Sequence, residues 1–312
     1  MNDVGTQVEA ARSKVLVVPE TELVVLRVTG GDRQSWLNGL VTCDLAPLRP
    51  GDAAYGLAVT QKGRILADVT VLLGADHLLL AVPASTEAEL RAALDKYLIM
   101  EDVEVEPEAA NVVVLGLHGP ASAKLVERAR AVGAAAGAVD RTGLGGGVVI
   151  AGVEVRAAVE SALREAATAE GGVWGDDAGW EALRIERGVP RFGKDFDLTT
   201  YPQEASLEKR AVSFEKGCYL GQEVVCMLEL RGHVKRKLVA LVLDDAGDVL
   251  TGLAGADVCD ATGAKVGHVT STAVSPTLGA PLVFAMVKAA QTDPQTKLAI
   301  GGRQAHVVDG PV

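Results

Sequence analysis

The sequence predicts an α+β fold followed by a small all-β module, most simply a barrel. Strand-like and helix-like runs alternate through the first 230 residues, hairpin signals occur among them, and helical periodicity disappears from about residue 231. At 312 residues the chain is long enough for two or three domains, each with its own core. We therefore expect one region over residues 1–230 and a second over 231–312.

The first strands are predicted from short apolar runs. Leu23–Val28 is one such run, and Ala53–Val59 is the next. We expect Ile65–Leu73 to pair with Ala53–Val59, because Lys62-Gly63 between them is a turn signal.

Two helices accompany these strands. Asp32 begins a short one, which carries three apolar residues on one face: Trp36, Leu37 and Leu40. After a further strand at Leu78–Val82, Thr86 and Glu89 have the spacing of a capping box. That signal predicts a helix that ends near Met100.

The same alternation recurs further along the chain. It predicts a strand at Val112–Leu117, a helix from Pro120, a strand at Val148–Ala151 and a helix at Val155–Ala169. The stretch Gly143–Gly147 is predicted to be a loop.

One more helix has clear start and stop signals. Asp176 or Asp177 suits its N-terminal cap, Gly188 suits its end, and Pro190 prevents its continuation. From about Arg231 the chain contains only short β-type runs separated by Gly, Pro and Asp, which predicts the barrel: Lys237–Leu243, Ala264–Thr272, Leu282–Val287 and Lys297–Ile300.

Composition and charge exclude several classes of function. The net charge of −11 argues against a protein that coats nucleic acid through bulk charge. No apolar run approaches about 18 residues, and the N-terminus lacks the pattern of a signal peptide, so we expect a cytoplasmic protein without a membrane span. Four widely spaced cysteines predict neither a disulfide framework nor a metal site.

Residues 216–223, KGCYLGQE, form the segment with the strongest chemical signal. A thiol at Cys218 lies beside Gly217, which permits unusual backbone angles, and two residues from Lys216, so a depressed pKa and a reactive thiol are expected. From residue types alone, a turn followed by a strand that buries the cysteine is the favoured alternative. Two glycines so close together would weaken such a strand.

The octet closely resembles the K-G-C-[FY]-x-G-Q-E signature of the YgfZ family, which are folate-binding proteins related to the glycine-cleavage T-protein, an aminomethyltransferase. The resemblance covers residues 20 to 290 approximately. Other stretches resemble family elements in the same order: Gly30–Asp32, Trp36–Leu40, Thr42–Leu45, Lys62–Arg64, Trp180–Pro190, Tyr201–Glu204, Gly267–Ser271 and Ser275-Pro276.

The resemblance implies two intertwined α+β subdomains and a C-terminal barrel, arranged as a ring around a central folate site. It implies that Trp180 and Glu186 lie at that site, where an indole would stack on the pterin and a carboxylate would accept from its aminopyrimidine edge. The two residues are less than two helical turns apart, so we expect them to converge on one pocket. Their spacing alone favours a core anchor at Trp180 and a solvated carboxylate at Glu186, and the resemblance reverses that interpretation.

Two departures from the T-protein argue against efficient aminomethyl transfer, and a third, from the YgfZ pattern, removes a cation near the octet. Gly63–Asp68 retains one acid, Asp68, where the T-protein has two adjacent acids. The Asp-Phe pair of the T-protein is replaced by Cys218-Tyr219, and Cys226-Met227 replaces an arginine of the YgfZ pattern.

The resemblance therefore implies a tetrahydrofolate-binding protein that supports iron–sulfur cluster assembly or repair, and thereby tRNA modification. Cys218 is predicted to be the functional thiol. Six residues are predicted to bind tetrahydrofolate or a one-carbon derivative: Trp180, Glu186, Asp68, Lys216, Tyr219 and Gln222. The alternatives are a folate-dependent aminomethyltransferase and a folate-independent scaffold.

The expected partners are folate and, transiently, iron–sulfur client enzymes; we expect a monomer that does not bind nucleic acid directly. One basic segment leaves room for a local contact, since residues 209–237 carry a net charge of +4. Four cationic side chains at the C-terminal end of this segment could bind the glutamate tail of folate or an RNA phosphate: Arg231, Lys235, Arg236 and Lys237. Alternatively, they form a solvated strand face.

Overall fold

The computed structural model describes residues 3–108, 112–244 and 250–312. The first part contains α1 (Val4–Ser13), β1 (Leu16–Pro19), β2 (Leu23–Thr29), α2 (Arg33–Asn38), β3 (Ala53–Val59), β4 (Ile65–Leu73), β5 (Leu78–Pro83), α3 (Glu87–Asp95) and β6 (Glu104–Pro107). The second contains β7 (Val113–His118), α4 (Ser122–Ala131), β8 (Ala135–Ala138), β9 (Gly146–Ala151), α5 (Val153–Ala169), β10 (Val173–Trp174), α6 (Asp177–Glu186), α7 (Glu208–Ala211) and α8 (Gln222–Leu230). The third contains β11 (Arg236–Leu243), β12 (Asp257–Asp260), β13 (Lys265–Ser275), β14 (Ala280–Lys288), β15 (Leu298–Ile300) and β16 (Arg303–Val307).

Two five-stranded sheets form the first two layers. One has the order β3-β4-β5-β2-β6, and the other has the order β10-β1-β7-β9-β8. Strand β1 precedes the whole first sheet in sequence but pairs within the second, so the two α+β layers are intertwined as predicted. Buried aliphatic side chains fill the space between them, among them Val25 and Leu79 from the first sheet and Val114 and Ile150 from the second.

The hairpin of β3 and β4 was predicted from its turn, and the structure confirms it. Thr60 donates its backbone N–H to the carbonyl of Arg64 (2.9 Å), and Gly63 has a φ of 70°. The strand register pairs Tyr55 with Thr70 and Leu57 with Asp68, so Tyr55 and Asp68 are diagonal neighbours on one face.

Helix α6 links the layers to the barrel. Asp176 caps it by accepting the backbone N–H of Gly179 (3.1 Å), and Gly188 beyond its end has a φ of 65°, as the start and stop signals predicted. Leu183 and Ile185 on this helix pack in one core cluster with α1, β1 and the barrel strands. The helix is therefore fixed on several sides, which fixes the direction of its side chains.

The C-terminal region is a closed six-stranded barrel with the order β11-β14-β13-β12-β15-β16. The barrel was predicted, but β12 and β16 were not, because both are short and carry polar residues. Residue 230, the predicted boundary, lies at the end of α8, and the division of the chain there stays a prediction.

Three local predictions were wrong. Helix α3 ends at Asp95 and not near Met100, and Thr86 makes no capping bond, because its hydroxyl donates to the carbonyl of Pro83 (2.9 Å). The last two residues of the octet begin helix α8, and no strand follows the turn. Helix α1 was missed, although Asp3 caps it by accepting the N–H of Thr6 (3.0 Å).

Candidate functional site

A cleft with a cavity volume of about 60 Å³ lies where the two sheets meet α6. Charged and aromatic side chains share its wall with apolar ones, and they include Glu20, Tyr55, Asp68, Arg141 and Trp180. The aromatic and polar side chains of this wall suit a ligand that has both a flat ring and polar edges.

Asp68, on β4, supplies a buried carboxyl group to this cleft. The hydroxyl of Tyr55 donates to its Oδ2 (3.2 Å), whereas Oδ1 has no hydrogen-bond partner within the part of the chain that the structure describes. Burial raises the pKa of Asp68, and the nearby charge of Arg141 opposes that effect. Asp68 therefore offers one free acceptor, or one proton, to a ligand in the cleft.

Trp180 forms another part of the wall, and its ring is already stacked on one side. The rings of Trp180 and His118 lie 4.3 Å apart at an angle of 11°. Burial, followed by the charge of Arg141, lowers the pKa of His118 well below its usual 6.5, so this imidazole is neutral at physiological pH. His118 covers one face of the indole, and Trp180 as a whole is only 7% exposed.

Sequence reasoning missed the ion pair that completes the cleft. Arg141 donates to the carboxylate of Glu20, and both side chains are nearly buried. The guanidinium carbon of Arg141 also lies 5.3 Å from the centre of the Trp180 ring. The one signal for Arg141 was its position just before the glycine-rich loop; Glu20 stands in a short connection that carried no signal.

The structure does not bring Glu186 to the cleft. Its carboxylate pairs with Arg12 (2.9 Å) and accepts hydrogen bonds from Ser275 and from the N–H (3.1 Å) and hydroxyl (2.9 Å) of Thr277. The expected convergence with Trp180 was wrong, because six residues at about 100° each put the two side chains about 120° apart around α6. Glu186 fastens α6 to the barrel and to α1.

Lys216 also does not have the position that its predicted role in folate binding requires. Its ammonium donates to three backbone carbonyls, those of Asn38 (2.6 Å), Val41 (3.0 Å) and Cys43 (2.7 Å). Those three bonds occupy all its donors. Lys216 therefore secures the segment after α2, and its charge is directed away from solvent.

Tyr219 holds the loop in place by packing in the core, and Gln222 does so by beginning helix α8. Tyr219 is buried in a core cluster with Tyr55 and Phe196, and burial raises the pKa of its hydroxyl. Gln222 is the first residue of α8, and its amide reaches the carbonyl of Gly217 only at 3.5 Å. Neither residue lines the cleft at Asp68.

Gly221, between them, has a structural reason to be glycine. Its φ is 76°, and a Cβ there would lie 2.4 Å from the carbonyl oxygen of Thr60. The octet is thus packed directly against the turn of β3 and β4.

Cys218 is the exposed member of the octet. Apolar side chains that are also exposed stand near it in sequence: Phe214 (39%), Met227 (54%) and Leu230 (80%). Of the other cysteines, Cys43 is buried, and Cys226 and Cys259 are partly buried. The strand alternative, which would have buried Cys218, was wrong.

Family models match both ends of the chain. The GCVT N-terminal domain matches residues 1–158, and the glycine cleavage T-protein C-terminal barrel domain matches residues 236–312. The chain belongs to the glycine-cleavage T-protein family. This confirms the resemblance seen in the sequence.

Relatives within this family fall on two branches. A tRNA-modifying protein YgfZ from Vibrio vulnificus (strain YJ016) is 28% identical over 70% of this chain and 67% of its own length. The mitochondrial aminomethyltransferase of Gallus gallus is 30% identical over 91% of this chain and 77% of its own. The crystal structure of glycine cleavage system aminomethyltransferase T from Bartonella henselae superposes with a TM-score of 0.81, at 21% identity, over 98% of this chain and 88% of that one.

The match to the Bartonella henselae structure shows that the fold is T-protein-like.

Among residues 3–108, 112–244 and 250–312, no group of three or more His, Cys, Asp or Glu side chains is arranged to hold a metal ion. No helix in those ranges is long and apolar enough to cross a membrane.

Proposed function

We propose that this protein binds tetrahydrofolate, or a one-carbon derivative of it, in the cleft at Asp68. The observation that carries the proposal is the buried carboxyl group of Asp68, whose Oδ1 has no partner among the described residues, in one cleft with the indole of Trp180. A pterin has N–H groups for the first and a flat ring for the second. Bound tetrahydrofolate would supply the chemistry of a one-carbon carrier.

The residues of the cleft have separate parts in this proposal. Asp68 accepts a hydrogen bond from the ligand, and Tyr55 orients that carboxyl group through Oδ2. Arg141, held by Glu20, supplies the positive charge that opposes protonation of Asp68. Neutral His118 holds the indole of Trp180 in position from behind.

The folate test uses the fluorescence of the three tryptophans. Reduced folate is expected to quench the wild-type protein, and the quenching should be largely lost in Trp180→Phe. Trp174→Phe is the matched control, because Trp174 lies on β10 beneath Arg164 and outside the cleft. Equal quenching in both variants would mean that folate binds away from Trp180, and no change in melting temperature at saturating folate would favour the folate-independent scaffold.

For the cellular role, we propose support of iron–sulfur cluster assembly or repair, and thereby of tRNA modification, through Cys218. The YgfZ relative is named a tRNA-modifying protein. An exposed thiol near exposed apolar side chains suits transient contact with client enzymes. One cysteine cannot hold a cluster that normally takes four protein ligands, so the purified protein should carry none.

Deletion of the gene tests this role. Cluster-dependent enzymes and thiomethylated tRNA should decline in the deletion strain, and the wild type and Cys259→Ser should restore them. Cys218→Ser should not. Normal cluster-enzyme activity in the deletion strain, or full rescue by Cys218→Ser, would refute the role of the thiol.

Aminomethyl transfer of the T-protein type is the second candidate, favoured by the relative from Gallus gallus. Asp68 stands alone where that branch has two acids, so we expect little turnover with a lipoylated carrier protein. Robust turnover that Asp68→Asn abolishes would establish this candidate instead.

A further inference from the structure

An apolar groove lies between helix α3 and the turn of β3 and β4. It has a cavity volume of about 370 Å³, and none of its described lining residues belongs to the cleft at Asp68. A concave apolar surface of this size is typical of a binding site. The aliphatic and aromatic side chains of its lining include Leu40, Leu66, Leu90, Leu94, Tyr97 and Leu220.

The groove continues along the loop that follows α3. A shallower depression shares Leu40 and Tyr97 with the groove and is bordered by Ile99 and Met100. These two side chains are 81% and 93% exposed, which makes them the most exposed large apolar side chains in the described part of the chain. An exposed apolar pair beside an apolar groove is typical of a surface that binds another protein.

Hydrogen bonds fix this loop although its apolar side chains are exposed. The backbone N–H groups of Ile99 (2.9 Å) and Met100 (3.0 Å) both donate to the carboxylate of Glu101, and they lower its pKa. The indole of Trp36 donates to the carbonyl of Tyr97 (2.8 Å). The apolar pair is therefore held in position before a partner binds, which reduces the entropy cost of binding.

The charged side chains that line the groove itself are both cationic. Lys62 lies in the turn of β3 and β4, Lys96 follows the end of α3, and both are exposed. Neither has an ion pair in the described part of the chain. Asp95 is exposed beside Lys96 but lies outside the lining, and acidic residues line only the neighbouring depression. The groove is thus complementary to an acidic partner, in a protein whose net charge is −11.

The groove is also adjacent to the octet. Leu220 lines the groove, and its N–H donates to the carbonyl of Gly39 (2.9 Å). Cys218 is two residues away, so its Cα lies within about 8 Å of the Cα of Leu220. A segment bound in the groove therefore lies close to the exposed thiol.

We infer that the groove and the loop bind a short, acidic, amphipathic helix of a client protein. A helix with apolar side chains at positions i, i+4 and i+7 presents one stripe to the groove and to Ile99 and Met100, and acidic side chains beside that stripe reach Lys62 and Lys96. The inference rests on the proposed contact with client enzymes for the identity of the partner, but the docking itself does not require the thiol.

Fluorescence anisotropy with a labelled model peptide of about 16 residues tests the inference. The acidic peptide has leucines along one helical face and glutamates elsewhere, and a basic peptide has lysines in place of the glutamates. Titrated with the full chain, the acidic peptide should bind saturably at 1:1 and about tenfold more tightly than the basic peptide. Equal affinity for the two peptides, or no saturable binding, would overturn the inference.

Substitutions locate the binding surface. Ile99→Ser combined with Met100→Ser should weaken binding of the acidic peptide about tenfold, because two apolar side chains no longer become buried. Both side chains are exposed, so the variant should fold. Leu278→Ser is the matched control, since Leu278 is 42% exposed on the barrel and outside the groove. Equal weakening by the control would overturn the inference.

The charge term has its own pair of variants. Lys62→Gln combined with Lys96→Gln should weaken binding of the acidic peptide about fivefold and leave the basic peptide no weaker. Lys209→Gln is the control, because Lys209 is exposed and lies outside the groove. An unchanged affinity in the double variant would contradict the acidic character of the partner.

Two further measurements separate this inference from its alternatives. Cys218→Ser should bind the acidic peptide as tightly as the wild type, so failure of the thiol's proposed role leaves the groove unaffected. Sedimentation of the free protein should show a monomer. A dimer that Ile99→Ser and Met100→Ser dissociate would mean that a second copy of the chain occupies the groove, and it would overturn the inference.

Discussion

The cleft at Asp68 and the loop at Cys218 are built in opposite ways. In the cleft, polar groups are buried and one acceptor is left over: Asp68 is bonded through one oxygen only, within the part of the chain that is described. In the loop, Lys216 uses its donors on three backbone carbonyls, the hydroxyl of Tyr219 is buried without a partner among the described residues, and the thiol of Cys218 is exposed. The first arrangement suits an enclosed small molecule, and the second suits contact with another macromolecule.

The largest expected difference is in thiol reactivity. Burial raises the pKa of Cys43 from 9.0 to about 12, so its thiolate is about a thousandfold rarer than that of an unperturbed thiol at neutral pH. Alkylation of the native protein at mildly acidic pH, followed by peptide mapping, should label Cys218 first and Cys43 last. Preferential labelling of Cys226 or Cys259 would show that a different thiol is the reactive one.

The next test separates Glu186 from Asp68. Glu186→Gln weakens the pairing with Arg12 and the bonds to the barrel, and we expect a loss of about 3 kcal/mol in the free energy of unfolding. Folate affinity of the folded variant should not change. Asp68→Asn should give the reverse, with weaker folate binding and no loss of stability. Weakened folate binding by folded Glu186→Gln would restore the site predicted from the sequence.

Lys216→Met tests whether the lysine serves the fold or the thiol. Three carbonyls lose their ammonium partner, so unfolding should become about 2 kcal/mol easier by chemical denaturation. Lys209→Met, an exposed lysine, should change stability by less than about 0.5 kcal/mol. Slower alkylation of Cys218 in Lys216→Met would contradict this account, because it would mean that the ammonium activates the thiol.

The smallest expected effect is on the pH dependence of stability. The pKa of His118 is lowered by burial, so the folded state binds fewer protons than the unfolded state, and stability is lost as the pH falls below about 6.5. The pKa of Asp68 is raised by burial, so its penalty grows as the pH rises above about 4.

The two contributions can be separated by substitution. His118→Phe keeps a ring against Trp180 and should flatten the acid side of the stability profile, where one proton accounts for at most about 1.4 kcal/mol per pH unit. Asp68→Asn should raise stability at neutral pH instead. An unchanged acid slope in His118→Phe would mean that other groups carry the proton uptake.

Sequence patterns predicted the elements whose signals are local. The hairpin of β3 and β4 follows from Lys62-Gly63, and the caps of α6 follow from Asp176 and Gly188, because these residues act within a few positions of themselves. Short polar strands such as β12 had no such signal. They are defined by pairing with distant strands, which periodicity does not reveal.

The candidate site was predictable only where one element determines the direction of a side chain. Asp68 lies on a predicted strand and Trp180 on a predicted helix, and both reach the cleft. Glu186 lies on the same helix but faces the barrel, and Lys216 was assigned by its nearness in sequence to Cys218 although it bonds to residues more than 170 positions away. Arg141 and Glu20 meet only through the pairing of separate layers.

The contact of Gly221 with Thr60 bears on how this family diverges. A chain that kept both glycines of the octet and the tyrosine would retain the loop against the β3–β4 turn whether or not a sulfur stood at position 218, because Cys218 makes none of those contacts. A protein of this family can therefore keep the octet motif and lack the reactive thiol. A related protein could carry serine or alanine at position 218 without a change in the backbone. Most residues of the octet would then indicate membership of the family and would not indicate a reactive thiol.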